Sequence, residues 1–257
     1  MALSGCTANE AFFFDMPDPA TKEAHTIYDL WHGAWYAAWA VGIVTWALML
    51  FAAFAYRRRH ADDQPEQTKY NLPIEILYTL VPLIMILGLF WFTAKDQSEL
   101  LSVKDDQAQT INVVGFRWSW GFNYLDENVY DVGMPIGEGS LEGAPTLVLP
   151  VNEKVRFELT SPDVIHSFWV PDFLFKMDVI PGKTNVFELT PDKVGTYPGR
   201  CAELCGVDHS RMLFTVKVVE RPEFEQYIAD LKAKGQTGTL QTGRTTTHGQ
   251  QPQERRI

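Results

Sequence analysis

The chain has 257 residues, of which 46% are hydrophobic and 21% are charged, and its formal net charge is −10. This length suits one globular domain with membrane anchors, or two small domains. The acidic balance argues against nucleic acid as a partner, because phosphate groups are bound by basic surfaces.

The first 30 residues are predicted to lie outside the membrane. Within them, Leu3-Ser-Gly-Cys6 resembles the lipobox of bacterial lipoproteins, whose cysteine is acylated after cleavage. A signal peptide needs a basic segment and an apolar core before its cleavage site, and the few residues before Cys6 provide neither. Two interpretations stay open: a lipid anchor at Cys6 in a chain with a truncated start, or an accidental match.

Two apolar stretches, residues 34–56 and 74–93, are each long enough to cross a bilayer as a helix. We therefore predict a transmembrane helical hairpin over residues 31–94. Three arginines at positions 57–59 follow the first stretch, and such a cluster of cations marks the cytoplasmic side of a span. The connecting loop, residues 57–73, is then cytoplasmic, and the chain beyond the hairpin faces outward from the cell membrane.

Residues 95–220 are predicted to form an all-β domain. Its first part, residues 95–108, is a charged linker, and the strands follow it. Its predicted strands share β-branched and aromatic side chains, loose alternation of apolar and polar residues, and flanking turn residues. They cover residues 109–124, 146–150, 154–160, 167–170, 184–189, 195–199 and 213–219. Many short strands of this kind predict a Greek-key sandwich or barrel.

The end of the chain contains one further predicted element. Residues 221–235 have the pattern of a short amphipathic helix, with Pro222 near its start and Gly235 at its end. Residues 236–257 are rich in glycine, threonine and glutamine and lack apolar periodicity, which predicts a disordered tail.

The most informative stretch contains Cys201, Cys205, His209 and Met212 within one short segment. Thiolate, imidazole and thioether ligands suit copper, whereas calcium and magnesium prefer oxygen. A second imidazole is available from His166, which directly precedes a predicted strand. Two alternatives stay open at this point: a disulfide between the cysteines of an exported domain, and a structural zinc site.

The motif Cys-x-Glu-x-Cys-x3-His-x2-Met, with the earlier His166, resembles the binuclear copper (CuA) site of subunit II of haem–copper cytochrome c oxidases. The resemblance covers roughly residues 25–232 and implies a two-helix transmembrane hairpin followed by a cupredoxin-like domain. It also implies that Cys201 and Cys205 bridge two coppers and that His166 and His209 each complete one copper site. Met212 and the backbone carbonyl of Glu203 would be weak ligands.

The same resemblance implies roles for three further side chains. The Glu203 carboxylate would bind magnesium or manganese at an interface with another subunit. Trp118 would be the point where an electron from cytochrome c arrives, although Arg117 stands where the family has an amide. Glu75 would stand at the mouth of a proton-uptake channel into the catalytic subunit.

These expectations describe the electron-accepting subunit of a proton-pumping oxidase. Its partners would be cytochrome c or a c-type cytochrome subunit, the haem-bearing subunit I in which dioxygen is reduced to water, and the other oxidase subunits. Three alternatives stay open: a copper-free quinol oxidase subunit, a membrane-tethered copper-delivery protein, and a disulfide-stapled receptor domain. Copper analysis, co-purification with haem subunits and a thiol count would distinguish them.

Overall fold

The computed structural model of the chain describes residues 16–60, 64, 67–103, 108–133 and 143–240. The described residues form two compact units, one of which contains residues 25–100 and the other residues 17–24 with the chain beyond residue 100. Cys6 and residues 241–257 lie outside the described residues.

The first unit is helical and consists of α1 (Lys22–Ala55, whose first residues belong to the second unit) and α2 (Leu72–Leu100). Each helix contains a stretch long and apolar enough to cross a membrane, and none of that stretch is buried by the rest of the described chain. Two apolar helices, each long enough to cross a membrane, before a β domain are therefore confirmed.

Both helices are longer than the apolar stretches that predict them. α1 begins at Lys22, and α2 continues to Leu100, so the prediction of a linker beginning at residue 95 was wrong for its first residues. The prediction followed hydrophobicity, which marks the bilayer core, whereas a helix can continue into water through residues such as lysine, glutamine and glutamate that favour it.

A reciprocal cap begins α2. The Asn71 side chain accepts a hydrogen bond from the Ile74 backbone N–H (3.4 Å), and Glu75 Oε1 accepts one from the Asn71 backbone N–H (3.0 Å). This pair satisfies two backbone donors that would otherwise lack partners at a helix start.

The second unit is a sandwich of two five-stranded sheets, which confirms the predicted cupredoxin-like fold. Its strands are β1 (Gln109–Phe116), β2 (Ser119–Tyr124), β3 (Val129–Val132), β4 (Thr146–Pro150), β5 (Val155–Thr160), β6 (His166–Val170), β7 (Phe175–Val179), β8 (Asn185–Leu189), β9 (Gly195–Cys201) and β10 (Leu213–Val219). The sheets have the orders β3-β2-β1-β5-β8 and β4-β10-β9-β6-β7. β1 with β5 and β4 with β10 pair in parallel, and the other pairs are antiparallel.

Aromatic rings fill the space between the sheets. Phe168 of β6 lies 5.0 Å from Phe214 of β10 and 5.9 Å from Trp120 of β2, measured between ring centroids. Phe157 stacks on Phe187 at 4.9 Å, and all five rings are almost completely buried. Close packing of this kind gives the ends of β6 and β9 a rigid support.

The helix α3 (Arg221–Ala233) follows the last strand, and the chain then returns to the first sheet. The Gln236 carbonyl accepts a hydrogen bond from the Tyr130 backbone N–H (3.0 Å), and the Leu240 N–H donates to Asn123 Oδ1 (2.8 Å). The predicted disorder from residue 236 onward was therefore wrong for residues 236–240, because pairing with β3 and contact with β2 replace the missing apolar periodicity.

Candidate metal centre

Strand pairing brings the two halves of the predicted ligand set together. His166 is the first residue of β6 and Cys201 the last of β9, and these strands are antiparallel neighbours with Phe168 opposite Cys201. The loop from β9 to β10 contains Cys205, His209 and Met212, and the Cys201 N–H donates to the Met212 carbonyl (3.1 Å) to close it. His166 and Cys201, which are 35 positions apart in the chain, thus become neighbours in the structure.

The donor atoms of this cluster are in direct contact. Cys201 Sγ lies 3.9 Å from His166 Nδ1 and 3.9 Å from Cys205 Sγ. Cys205 Sγ lies 3.6 Å from His209 Nδ1 and 3.7 Å from Met212 Sδ. Each thiol therefore has its own imidazole, and the two thiols share the middle of the cluster.

The two cysteines are free thiols, so a disulfide is not part of the described fold. Their sulfur atoms are 3.9 Å apart, far beyond the S–S bond length of about 2.05 Å. Two thiols, two imidazoles and a thioether in contact form a soft ligand set that fits copper. With the thiols and His166 lying within 4.8 Å of one another, the residues fit the predicted CuA centre.

Burial favours the neutral forms of two of these ligands, Cys205 and His166. Burial and, to a smaller extent, the neighbouring Cys201 together raise the pKa of the Cys205 thiol to about 12. Burial also lowers the pKa of His166. A metal ion is the charge that would ionise such thiols, and its binding would release protons.

Glu203 has two separate environments. Its carbonyl oxygen lies 3.2 Å from Cys201 Sγ, whereas its side chain is exposed. The peptide group is therefore positioned at the cluster, and the carboxylate is available to solvent or to another chain.

Sequence reasoning missed Asp163. Its Oδ1 accepts a hydrogen bond from His166 Nε2 (2.9 Å), which leaves the Nδ1 lone pair facing the cluster. Burial would raise the pKa of Asp163, but hydrogen bonds from His166 and from the backbone N–H groups of Arg117 and Val164 outweigh it and hold the pKa at about 2. Histidine ligands commonly donate their other N–H to a carboxylate, so an acid near His166 was the available signal.

Trp118 lies against the ligand loop. Its Nε1–H donates to the Cys205 carbonyl (3.2 Å), and the ring is partly buried. Gly206 has a φ of +127°, and a Cβ at this position would lie 3.0 Å from Trp118 Nε1. Glycine therefore allows both the turn of the loop and the close approach of the indole.

Glu75 belongs to the helical unit, where it forms part of the cap of α2. The structure thus brings together six of the predicted site residues around the metal centre, with Trp118 beside them. They are His166, Cys201, Glu203, Cys205, His209 and Met212.

Residues 109–219 match the family model for the cytochrome c oxidase subunit II periplasmic domain, and residues 9–93 match the model for its transmembrane domain. The probable cytochrome c oxidase subunit 2 of Streptomyces coelicolor is 47% identical, over 98% of this chain and 89% of the relative. Cytochrome c oxidase subunit 2 of Mycobacterium tuberculosis is 33% identical, over 89% of this chain and 77% of the relative.

Among solved structures, the periplasmic domain of subunit II of cytochrome oxidase from Bradyrhizobium japonicum is similar, with 34% identity and a TM-score of 0.46. That comparison covers 51% of this chain and 97% of the other. Both family models and the bacterial relatives agree, and this chain belongs to the cytochrome c oxidase subunit II family.

Proposed function

We propose that this chain is the electron-accepting subunit of a haem–copper oxidase. It would take single electrons from cytochrome c, or from a c-type cytochrome subunit, and pass them to haem in a partner subunit that reduces dioxygen and pumps protons. The observation that supports this most is the mutual contact of five donor atoms that suit copper, two of which are free thiols. When bound, a copper pair would supply the site that holds one electron at a time.

The chain's own residues would keep this centre rigid. Cys201, Cys205, His166 and His209 would hold the copper pair, and Met212 and the Glu203 carbonyl would be weak ligands. Because β6 and β9 hold His166 and Cys201 on a packed aromatic core, the ligands can change little between oxidation states. Small rearrangement on gaining an electron suits a rapid carrier.

Electron paramagnetic resonance of the full chain, purified in detergent and loaded with copper, tests this proposal. We expect the multiline hyperfine pattern of one electron shared by two equivalent copper nuclei, together with two coppers per chain by metal analysis. Stoichiometric zinc with no copper, or a closed disulfide in the folded protein, would contradict it. Co-purification with haem subunits separates an oxidase subunit from a copper-delivery protein.

We also propose that the Glu203 carboxylate binds magnesium or manganese where this chain meets the catalytic subunit. An exposed carboxylate on the same residue whose carbonyl reaches Cys201 supports this, since both ions prefer oxygen ligands. In the assembled oxidase, a Glu203→Ala variant should lose the bound-manganese resonance signal while keeping its copper spectrum. Retention of manganese would exclude this ligand.

The proposed orientation places the β domain outside the cell membrane and residues 57–73 in the cytoplasm. The arginines after α1 support it, because cationic loops remain on the cytoplasmic side. Labelling of intact cells with a membrane-impermeant amine reagent should modify Lys183 and spare Lys69. The opposite pattern would reverse the topology.

Glu75 is proposed to stand at the entrance of the proton-uptake channel. Its capping contact with Asn71 complicates a test, because a truncated side chain would also loosen the start of α2. Glu75→Gln avoids this, since glutamine can accept the same hydrogen bond while its charge is gone. We expect steady-state turnover of the assembled oxidase to fall at least about tenfold, as for loss of a positioned proton-transfer group.

The matched control for Glu75→Gln is Asn71→Ala, which removes the side-chain acceptor of the cap and leaves the carboxylate in place. Near-normal turnover is expected from this control. Normal turnover and proton uptake in Glu75→Gln would remove the residue from the pathway and leave it a helix cap.

A further inference from the structure

One carboxylate joins an exposed arginine to a proposed copper ligand. Arg117 donates to Asp163 Oδ2 from its backbone N–H (2.8 Å) and from Nε (3.3 Å). The other oxygen, Oδ1, accepts from His166 Nε2 (2.9 Å). The guanidinium, the carboxylate and the imidazole thus form one continuous row that ends at the cluster.

We propose that Arg117 is a positioning residue that raises the reduction potential of the metal centre through Asp163 and His166. This inference rests on the proposed function, because it requires copper at the cluster. It concerns a position where the motif resemblance leads one to expect an amide, and where this chain has a cation instead.

The direction of the effect follows from the hydrogen bonds. Because Nε2–H points at Asp163, His166 presents its Nδ1 lone pair to the cluster. A carboxylate that accepts from Nε2–H makes the imidazole a stronger donor, which favours the oxidised, more positive metal. The guanidinium on the other carboxylate oxygen draws part of that charge away and so favours the reduced state. An uncharged amide at residue 117 would draw less negative charge away from the Asp163 carboxylate.

The row is also held in place by its surroundings. The Val164 backbone N–H (2.7 Å) donates to Asp163 Oδ1, the Arg117 backbone N–H (2.8 Å) donates to Oδ2, and the Asp163 side chain is 9% exposed. Asp163 therefore keeps its orientation when the arginine side chain is changed. Arg117 itself is 39% exposed, so its replacement should leave the packed core intact.

Arg200 provides the matched control. It precedes Cys201 in the chain, is exposed, and places its guanidinium 5.4 Å from the Trp169 ring centroid. Among the described residues it has no carboxylate partner within 4.0 Å. It is therefore a cation close to the centre that acts through space and not through a shared carboxylate.

The test is the midpoint potential of the full chain in detergent micelles, loaded with copper and titrated with spectroscopic detection. We expect Arg117→Gln to lower the equilibrium constant for one-electron reduction about three- to tenfold, which corresponds to about 30–60 mV for a one-electron couple. Arg117→Lys keeps the positive charge, so its equilibrium constant should lie much closer to that of the parent chain than the constant of Arg117→Gln does. Arg200→Gln should change the constant less than half as much on the logarithmic scale.

A double-mutant cycle then identifies the path. Asp163→Asn should raise the midpoint potential, whereas Arg117→Gln lowers it in the parent chain. In the Asp163→Asn background, Arg117→Gln should have little further effect. An unchanged potential in Arg117→Gln, an equal shift in Arg200→Gln, or a full Arg117→Gln shift without Asp163 would each overturn the inference. Failure of the parent chain to bind copper would instead overturn the proposed function, so the two failures are distinguishable.

Discussion

A Cys201→Ser chain is expected to lose the spectrum of paired copper and to bind the metal at least about 100-fold more weakly. Loss of a residue that merely supports a ligand costs roughly 10–100-fold in metal affinity, and Cys201 is proposed as a ligand itself. Its sulfur contacts His166 Nδ1, Cys205 Sγ and the Glu203 carbonyl, so it joins both ends of the cluster. Serine offers a hard, protonated oxygen at this position, which suits copper poorly.

Met212→Leu is the matched control for that experiment. Met212 is fully buried and contacts Cys205 Sγ at 3.7 Å, so leucine keeps the packing and removes only the proposed weak ligand. We expect this variant to retain two coppers and a shared-electron spectrum, with a shifted potential. A Cys201→Ser chain that kept the paired-copper spectrum would contradict the ligand assignment.

The second large effect is expected at Trp118. In the assembled oxidase, Trp118→Leu should lower the second-order rate constant for oxidation of cytochrome c by about 30-fold or more. Truncating a tryptophan at the centre of an interface commonly costs about 2 kcal/mol or more, which is about 30-fold in affinity. Loss of the indole also lengthens the path to the Cys205 carbonyl, to which its N–H now donates.

Two variants separate the contributions of Trp118. Trp118→Phe keeps an aromatic surface and removes the N–H donor, so an intermediate rate would show that both matter. Trp169→Leu is the control, because Trp169 is another partly exposed tryptophan, on β6 of the second sheet, and should leave the rate near normal. Equal losses from Trp118→Leu and Trp169→Leu would indicate a general disturbance of the domain. A normal rate in Trp118→Leu would place the docking site elsewhere.

The strands that sequence reasoning predicts are those with a buried face. In β5 the buried positions alternate along the whole strand, and the apolar residues follow the same period. β3 is missing from the prediction because it lies in a segment dominated by turn residues and is an edge strand, paired with β2 and, through isolated contacts, with residues 236–237. β7 is also an edge strand, although its alternation of Phe175, Met177 and Val179 with polar residues was a usable signal.

The chemistry of the centre could be predicted further than its surroundings. The ligand types and their spacing from Cys201 to Met212 indicate a metal that prefers soft ligands, since these side chains lie within one short segment of the chain. The hydrogen bond from His166 to Asp163 depends on the path of the chain into β6. The cap formed by Asn71 and Glu75 depends on the residue at which α2 begins. Such contacts are set by local backbone geometry, which composition and periodicity do not specify.

The burial of the donor residues has a consequence for how the centre is filled. His166, Cys201, Cys205 and Met212 are buried, whereas His209 is partly exposed on its short helical turn. From this difference in exposure we expect a metal ion that reaches the folded domain to meet His209 first and the sulfur atoms afterwards. Loading would then have a direction, from the outer imidazole inward, and a chelator removing the metal would approach by the same side.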